Sequence, residues 1–102
     1  MKKKVAKEIL KIKIGALTYK IEFVHPHELQ DDYGEFDAET LSIKINENLP
    51  KDLQKTTIIH EIIEAINYQY EFKFKHNVIT LLESILYQVL KENKKFFDQL
   101  LK

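Results

Sequence analysis

Apolar and polar residues alternate along the first half of the chain in a way that predicts three strands. ILKIKIG (residues 9–15) and LTYKIEFV (residues 17–24) alternate with a period of two, which is typical of half-buried strands. The short turn at Gly15-Ala16 between them predicts a β-hairpin. Residues 25–40 have no sustained period and are interpreted as a surface loop, and LSIKIN then predicts a third strand. The apolar positions in the last two strands are Leu17, Tyr19, Ile21 and Phe23, and Leu41, Ile43 and Ile45.

From Pro50 onward the apolar residues recur with the period of a helix. The first helix has its apolar positions at Ile58, Ile59, Ile62, Ile63, Ile66 and Tyr70. FKFKH (residues 72–76) interrupts the pattern, and Asn77 is the predicted N-cap of a second helix. The predicted core positions of that helix are Val78, Leu81, Leu82, Ile85, Leu86 and Val89. A last amphipathic segment has Phe96, Phe97, Leu100 and Leu101.

This order of elements predicts an α+β fold. We expect one domain over residues 1–102, with a small antiparallel or mixed sheet formed by the hairpin and an edge strand. Two main helices should pack against one face of this sheet.

Composition narrows the classes of function. Hydrophobic residues make up 44% of the chain and charged residues 31%, which is typical of a globular protein. Sixteen basic and sixteen acidic side chains cancel, so we expect no nucleic-acid partner, and no apolar run is long enough to span a membrane. The absence of cysteine excludes disulfides and thiolate metal sites and fits a cytoplasmic protein. Any metal would therefore need His, Asp or Glu ligands.

The candidate chemistry lies in IIHEIIEAINYQY, residues 58–70. His60 and Glu64 are four residues apart, so on a helix their side chains can converge on one ion, with Glu61 turned to the side. The same arrangement occurs in the H-E-x-x-H motif of zinc peptidases, in which the intervening Glu is the general base. The alternative is a polar, outward face of an amphipathic helix, which needs no function.

A longer stretch carries a resemblance to a known family. TTIIHEIIEAINYQY, then His76 and VITLLESILYQVLKEN, resembles small zincin-like metallopeptidase proteins of phages and of prophages in Gram-positive bacteria. Members typically contain sequences like TLLHEILHAIDYQY and LYQVLKDN. KIKIGALTYKIEFV and GEFDAETLSIKIN also resemble the N-terminal strands of that family, with Gly34 before the edge strand. The resemblance extends over nearly the whole chain.

The resemblance implies a role for several residues. His60 matches the first Zn²⁺ ligand, Glu61 the general base, and His76 the region that supplies the third ligand. Residues 41–46 (Leu41–Asn46) would be the edge strand along which an extended peptide or protein substrate pairs. Glu64 occupies the place of the family's second histidine. A carboxylate can bind zinc, but it lowers the net charge of the site by one and weakens activation of bound water.

Three functions follow as alternatives. The first is a zinc-dependent peptidase in which His60, Glu64 and His76 hold the metal and Glu61 is the base. The second is a catalytically degenerate protein of the same fold that acts as a binding or accessory module. The third is a host-encoded structural domain without a metal.

Other side chains offer further candidates, each with a simpler interpretation. Glu83 could be an alternative third ligand or could orient an imidazole, but we favour a solvated surface glutamate. Tyr68 and Tyr87 could stabilise an oxyanion, although tyrosines at helical spacing are more often partly buried core residues. His25 and His27 are interpreted as loop residues, because Pro26 between them restricts their geometry.

Overall fold

The computed structural model describes residues 10–102 and has an α+β architecture of four strands and three helices. Ile9, which the sequence pattern includes in the first strand, lies outside the described residues. The elements are β1 (Leu10–Ile14), β2 (Leu17–Val24), β3 (Gly34–Asp37), β4 (Ser42–Asn46), α1 (Lys51–Tyr70), α2 (His76–Glu92) and α3 (Lys94–Leu100). In this part of the chain no helix is both long enough and apolar enough to cross a bilayer.

The strands form one mixed sheet in the order β1-β2-β4-β3. β1 and β2 make the predicted antiparallel hairpin, β4 runs parallel to β2, and β3 pairs antiparallel with β4. The prediction that Leu41–Asn46 is an edge strand is therefore wrong. Four of the five residues of β4 are buried, since both of its edges are paired and α1 covers one of its faces.

β3 is the edge strand on that side of the sheet, so the interpretation of residues 25–40 as a loop is wrong at Gly34–Asp37. Four residues are too few to show a period, and the strand is defined by its pairing with β4, from Gly34–Ile45 to Asp37–Ser42. Pro26–Leu29 forms a short 3-10 helix in the same segment. Asp37 turns the chain back into β4, because its carboxylate accepts the backbone N–H groups of Glu39 and Thr40.

The core lies between the sheet and α1. Its buried residues are Ile14, Tyr19, Ile21, Ile43, Ile45 and Ala65, and Ile58, Ile62 and Ile66 of α1 pack against them. Gln69 joins the helix to the hairpin, since its amide oxygen accepts from the Tyr19 hydroxyl at 3.1 Å and its nitrogen donates to the Ile14 carbonyl at 3.0 Å. α1 is thereby fixed in rotation against the sheet, which decides where its polar residues point.

α2 packs against α1 and uses a different face from the one predicted. Its buried residue, among those described, is Ile79, whereas Leu81 is 65% exposed. The prediction of a core stripe is wrong for Val78, Leu81, Ile85 and Leu86, all of which are exposed. The apolar periodicity identified a helix correctly, but it could not tell which apolar residues α1 covers. α2 also begins at His76 with Lys75 as the N-cap, two residues before the predicted cap at Asn77.

Candidate metal centre

The polar residues of the H-E-x-x-E segment lie on a covered side of α1. Thr57 and Glu61 are buried and His60 is nearly so, because β3 packs over this part of the helix and α2 lies beside it. The alternative interpretation, a polar face that points outward, is therefore wrong for His60 and Glu61.

His60 and Glu64 approach each other across one helical turn. Nε2 of His60 lies 3.2 Å from Oε2 of Glu64, as the spacing of four residues predicts. Both side chains are more than half buried. The pair thus offers one imidazole nitrogen and one carboxylate oxygen to the same point.

His76 approaches this pair from the first residue of α2. Its Nδ1 lies 3.8 Å from Oε2 of Glu64, and its ring centroid is 5.2 Å from that of His60. The connection between the helices holds it there, because Asn67 of α1 accepts a hydrogen bond from the Phe74 N–H at 2.9 Å and returns one to the Phe74 carbonyl. The side chain of His76 is 76% exposed, so it can still adjust its rotamer.

The geometry of these three side chains fits a small divalent ion. The donor atoms of His60, Glu64 and His76 all lie within 4.8 Å of one another. In a tetrahedral zinc site with bonds of about 2.0–2.1 Å, neighbouring donor atoms are about 3.3 Å apart. The 3.2 Å between His60 and Glu64 matches that value, and the exposed His76 is the ligand that would have to move inward. Two imidazoles and one carboxylate form a donor set that zinc accepts.

Glu83 lies behind His60 rather than within the donor group. Its Oε1 is 2.5 Å from Nδ1 of His60, on the other side of the ring from Glu64. The side chain is 18% exposed, so the interpretation of Glu83 as a solvated surface residue is wrong. Of the two roles proposed for it, this position favours orientation of the imidazole over metal ligation.

Glu61 is the most deeply buried carboxyl group of the centre, with 7% of its surface exposed. Burial raises its pKa from 4.5 to about 7; His60 partly opposes this rise, and the carboxylates of Glu64, Glu35 and Glu83 add to it. A carboxyl group with a pKa near neutrality can both accept and release a proton at working pH.

Gly34 of β3 allows the strand to pass close to this carboxyl group. A Cβ at position 34 would lie 2.8 Å from Cγ2 of Thr57, 3.0 Å from the Lys44 carbonyl oxygen and 3.3 Å from Oε2 of Glu61. The missing side chain is therefore what lets β3 cover Glu61.

A cleft of about 570 Å³ opens above these residues, between β3, α1 and α2. Its lining includes His60, Glu61, Glu64, His76 and Glu83, together with residues that sequence reasoning had not assigned to the site: Asp32, Tyr33, Gly34, Phe36, Thr57 and Thr80. The first four of these come from the segment interpreted as a loop. Only the pairing of β3 with β4 brings them over α1, and no periodicity in the sequence carries that signal.

The remaining candidates lie away from the cleft. Tyr68 is 65% exposed and packs its ring against Phe36, and Tyr87 donates a hydrogen bond to Asp52 at 3.3 Å. Neither tyrosine lines the cleft. Nδ1 of His25 accepts the backbone N–H of His27 at 3.0 Å and so caps the 3-10 helix, which agrees with the interpretation as loop residues.

Comparisons with family models, with curated proteins and with solved structures find no significant match to this chain. The resemblance to zincin-like proteins stays a prediction. A proposal of function therefore rests on the geometry of the candidate metal centre.

Proposed function

We propose that this protein is a zinc-dependent peptidase of the zincin type. The observation that carries the proposal is the convergence of donor atoms from His60, Glu64 and His76 within 4.8 Å, next to the buried carboxyl group of Glu61. Zinc, when bound, polarises a substrate carbonyl and lowers the pKa of a coordinated water.

Glu61 is the proposed general base. It follows His60 directly on α1, and its side chain lines the same cleft. Because its pKa is about 7, the carboxylate can take a proton from the attacking water and pass it to the departing amine. β3 shields the group from bulk solvent, which keeps the carboxyl group in the environment that sets this pKa.

The proposed substrate is an extended peptide that pairs with β3 instead of β4. Tyr33, Gly34 and Phe36 line the cleft next to the candidate metal ligands. In the described part of the chain β3 pairs only through its β4 side, so its other edge presents backbone groups that can pair with a peptide strand. This arrangement supports a peptide bond placed beside Glu61.

The second candidate is a catalytically degenerate protein that uses the same cleft to bind peptides. Two observations favour it. Glu64 occupies the position at which the zincin-like family has its second histidine, and the side chain of His76 is largely exposed. For either function we propose the cytoplasm as the place of action, from the absence of cysteine, and a phage or prophage setting, from the resemblance.

A cleavage assay separates these functions. The zinc-loaded wild type, the Glu61→Gln variant and the exposed-site control Glu92→Gln are incubated with a mixture of unstructured peptides, and products are read by mass spectrometry. The peptidase proposal predicts chelator-sensitive cleavage by wild type and control and none by Glu61→Gln. Zinc binding without cleavage by wild type supports the binding module. A wild type that neither binds zinc nor cleaves contradicts the peptidase proposal, and one that also fails to bind any of the peptides contradicts both.

A further inference from the structure

The imidazole of His60 has a carboxylate at each of its two nitrogens. Nε2 faces Glu64 one turn along α1, and Nδ1 faces Glu83, which lies 23 residues further on in α2. His76 lies against the same ring. The orientation of His60 is therefore set by two helices together.

The short contact with Glu83 requires a proton between the two atoms. A neutral imidazole has one N–H and one lone pair, and a carboxylate can only accept. A neutral ring can donate to only one of its two carboxylate neighbours, and the shorter contact, between Nδ1 of His60 and Oε1 of Glu83, assigns the proton to Nδ1. The lone pair then lies on Nε2, directed toward Glu64 and the candidate metal position.

The partial burial of Glu83 favours this contact in the folded protein. Its side chain is 18% exposed, and a carboxylate removed from water needs a hydrogen-bond donor to offset the loss of hydration. His60 is likewise only 14% exposed. Both groups line the cleft, and separating them would leave two partly buried polar groups without this partner.

We propose that Glu83 is a positioning residue that fixes His60 as the Nδ1–H tautomer and so makes Nε2 its only metal-binding atom. The proposal rests on the metal centre proposed above and goes beyond it, because it assigns control of the metal affinity to a residue outside the donor group. α2 then supplies both the ligand His76 and, two turns later, the residue that orients His60.

The test has two independent measurements on wild type, Glu83→Ala and the conservative Glu83→Gln. The first is the tautomer of His60 in the metal-free protein, read from ¹⁵N chemical shifts at a pH where the ring is neutral. The second is the zinc dissociation constant, measured by competition with a chromogenic chelator. Glu92→Ala, at an exposed position of the same helix, is the matched control.

We expect Nδ1–H in wild type and a shift toward Nε2–H in Glu83→Ala. Zinc binding should weaken about 10- to 100-fold in Glu83→Ala, and less in Glu83→Gln because the amide oxygen still accepts the hydrogen bond. Glu92→Ala should match wild type in both measurements.

Three results would overturn the assignment: an Nε2–H ring in wild type, an Nδ1–H ring that persists in Glu83→Ala, or unchanged zinc affinity in a folded Glu83→Ala protein. If Glu83→Ala does not fold, Glu83→Gln decides by the same criteria. If wild type binds no zinc, the metal centre fails, while the tautomer in the metal-free protein still decides the role of Glu83.

Discussion

Replacing Glu61 by glutamine should stabilise the metal-free protein at alkaline pH while it abolishes any hydrolysis. Burial raises the pKa of Glu61 from 4.5 to about 7, so the folded state favours the protonated carboxyl group. A difference of this size corresponds to about 3 kcal/mol between the two protonation states. The stability that protonated Glu61 contributes is fully present below about pH 4.5 and is lost as pH rises through about 7. Above that pH the free energy of unfolding no longer changes with the ionisation of Glu61.

Glutamine has nearly the same shape as a protonated glutamate and does not ionise. The free energy of unfolding of Glu61→Gln should therefore equal that of wild type near pH 4.5 and exceed it at pH 8.5 by up to about 3 kcal/mol.

Urea unfolding at pH 4.5 and pH 8.5, in the presence of a chelator, gives this difference directly. Glu92→Gln is the control, because an exposed carboxylate should change stability by only a few tenths of a kcal/mol at either pH. A Glu61→Gln protein that is no more stable than wild type at pH 8.5 would show that Glu61 ionises there without cost. In that case β3 would not bury this carboxyl group deeply enough to raise its pKa.

Two further substitutions test the centre from other directions. Glu64→His creates an H-E-x-x-H motif and raises the net charge of the site by one, so we expect the zinc-loaded variant to hydrolyse peptides faster than wild type. Turnover no higher than that of wild type would contradict this expectation. Gly34→Ala places a methyl group 2.8 Å from Cγ2 of Thr57, so we expect the free energy of unfolding in urea to fall by about 1–3 kcal/mol. An unchanged unfolding midpoint would contradict the close passage of β3 over α1.

Local sequence patterns predicted the elements whose structure is itself local. The alternation in ILKIKIG and LTYKIEFV predicts the hairpin, and the apolar spacing of residues 58–66 predicts α1, because backbone geometry alone decides which side chains share a face. His60 and Glu64 meet for the same reason. Position i and position i+4 are neighbours in any helix.

The features that sequence reasoning missed depend on contacts between distant segments. β3 is defined by hydrogen bonds to β4, and its arrival over α1 is what buries Glu61 and completes the cleft. Sequence reasoning named Glu83 as a partner that could orient an imidazole but favoured a solvated residue, because its contact with His60 depends on α2 packing on α1 in one particular rotation. That same rotation leaves Leu81 in solvent, although its spacing suits a core position.

The metal content of the purified protein tests the central claim most directly. Untagged wild type and His60→Ala are equilibrated with zinc, dialysed, and analysed by elemental mass spectrometry, with the loop substitution His25→Ala as the control and circular dichroism to confirm folding. The proposed centre predicts one zinc per chain in wild type and His25→Ala and none in His60→Ala. Sub-stoichiometric zinc in all three proteins, or equal zinc in wild type and a folded His60→Ala, would contradict it.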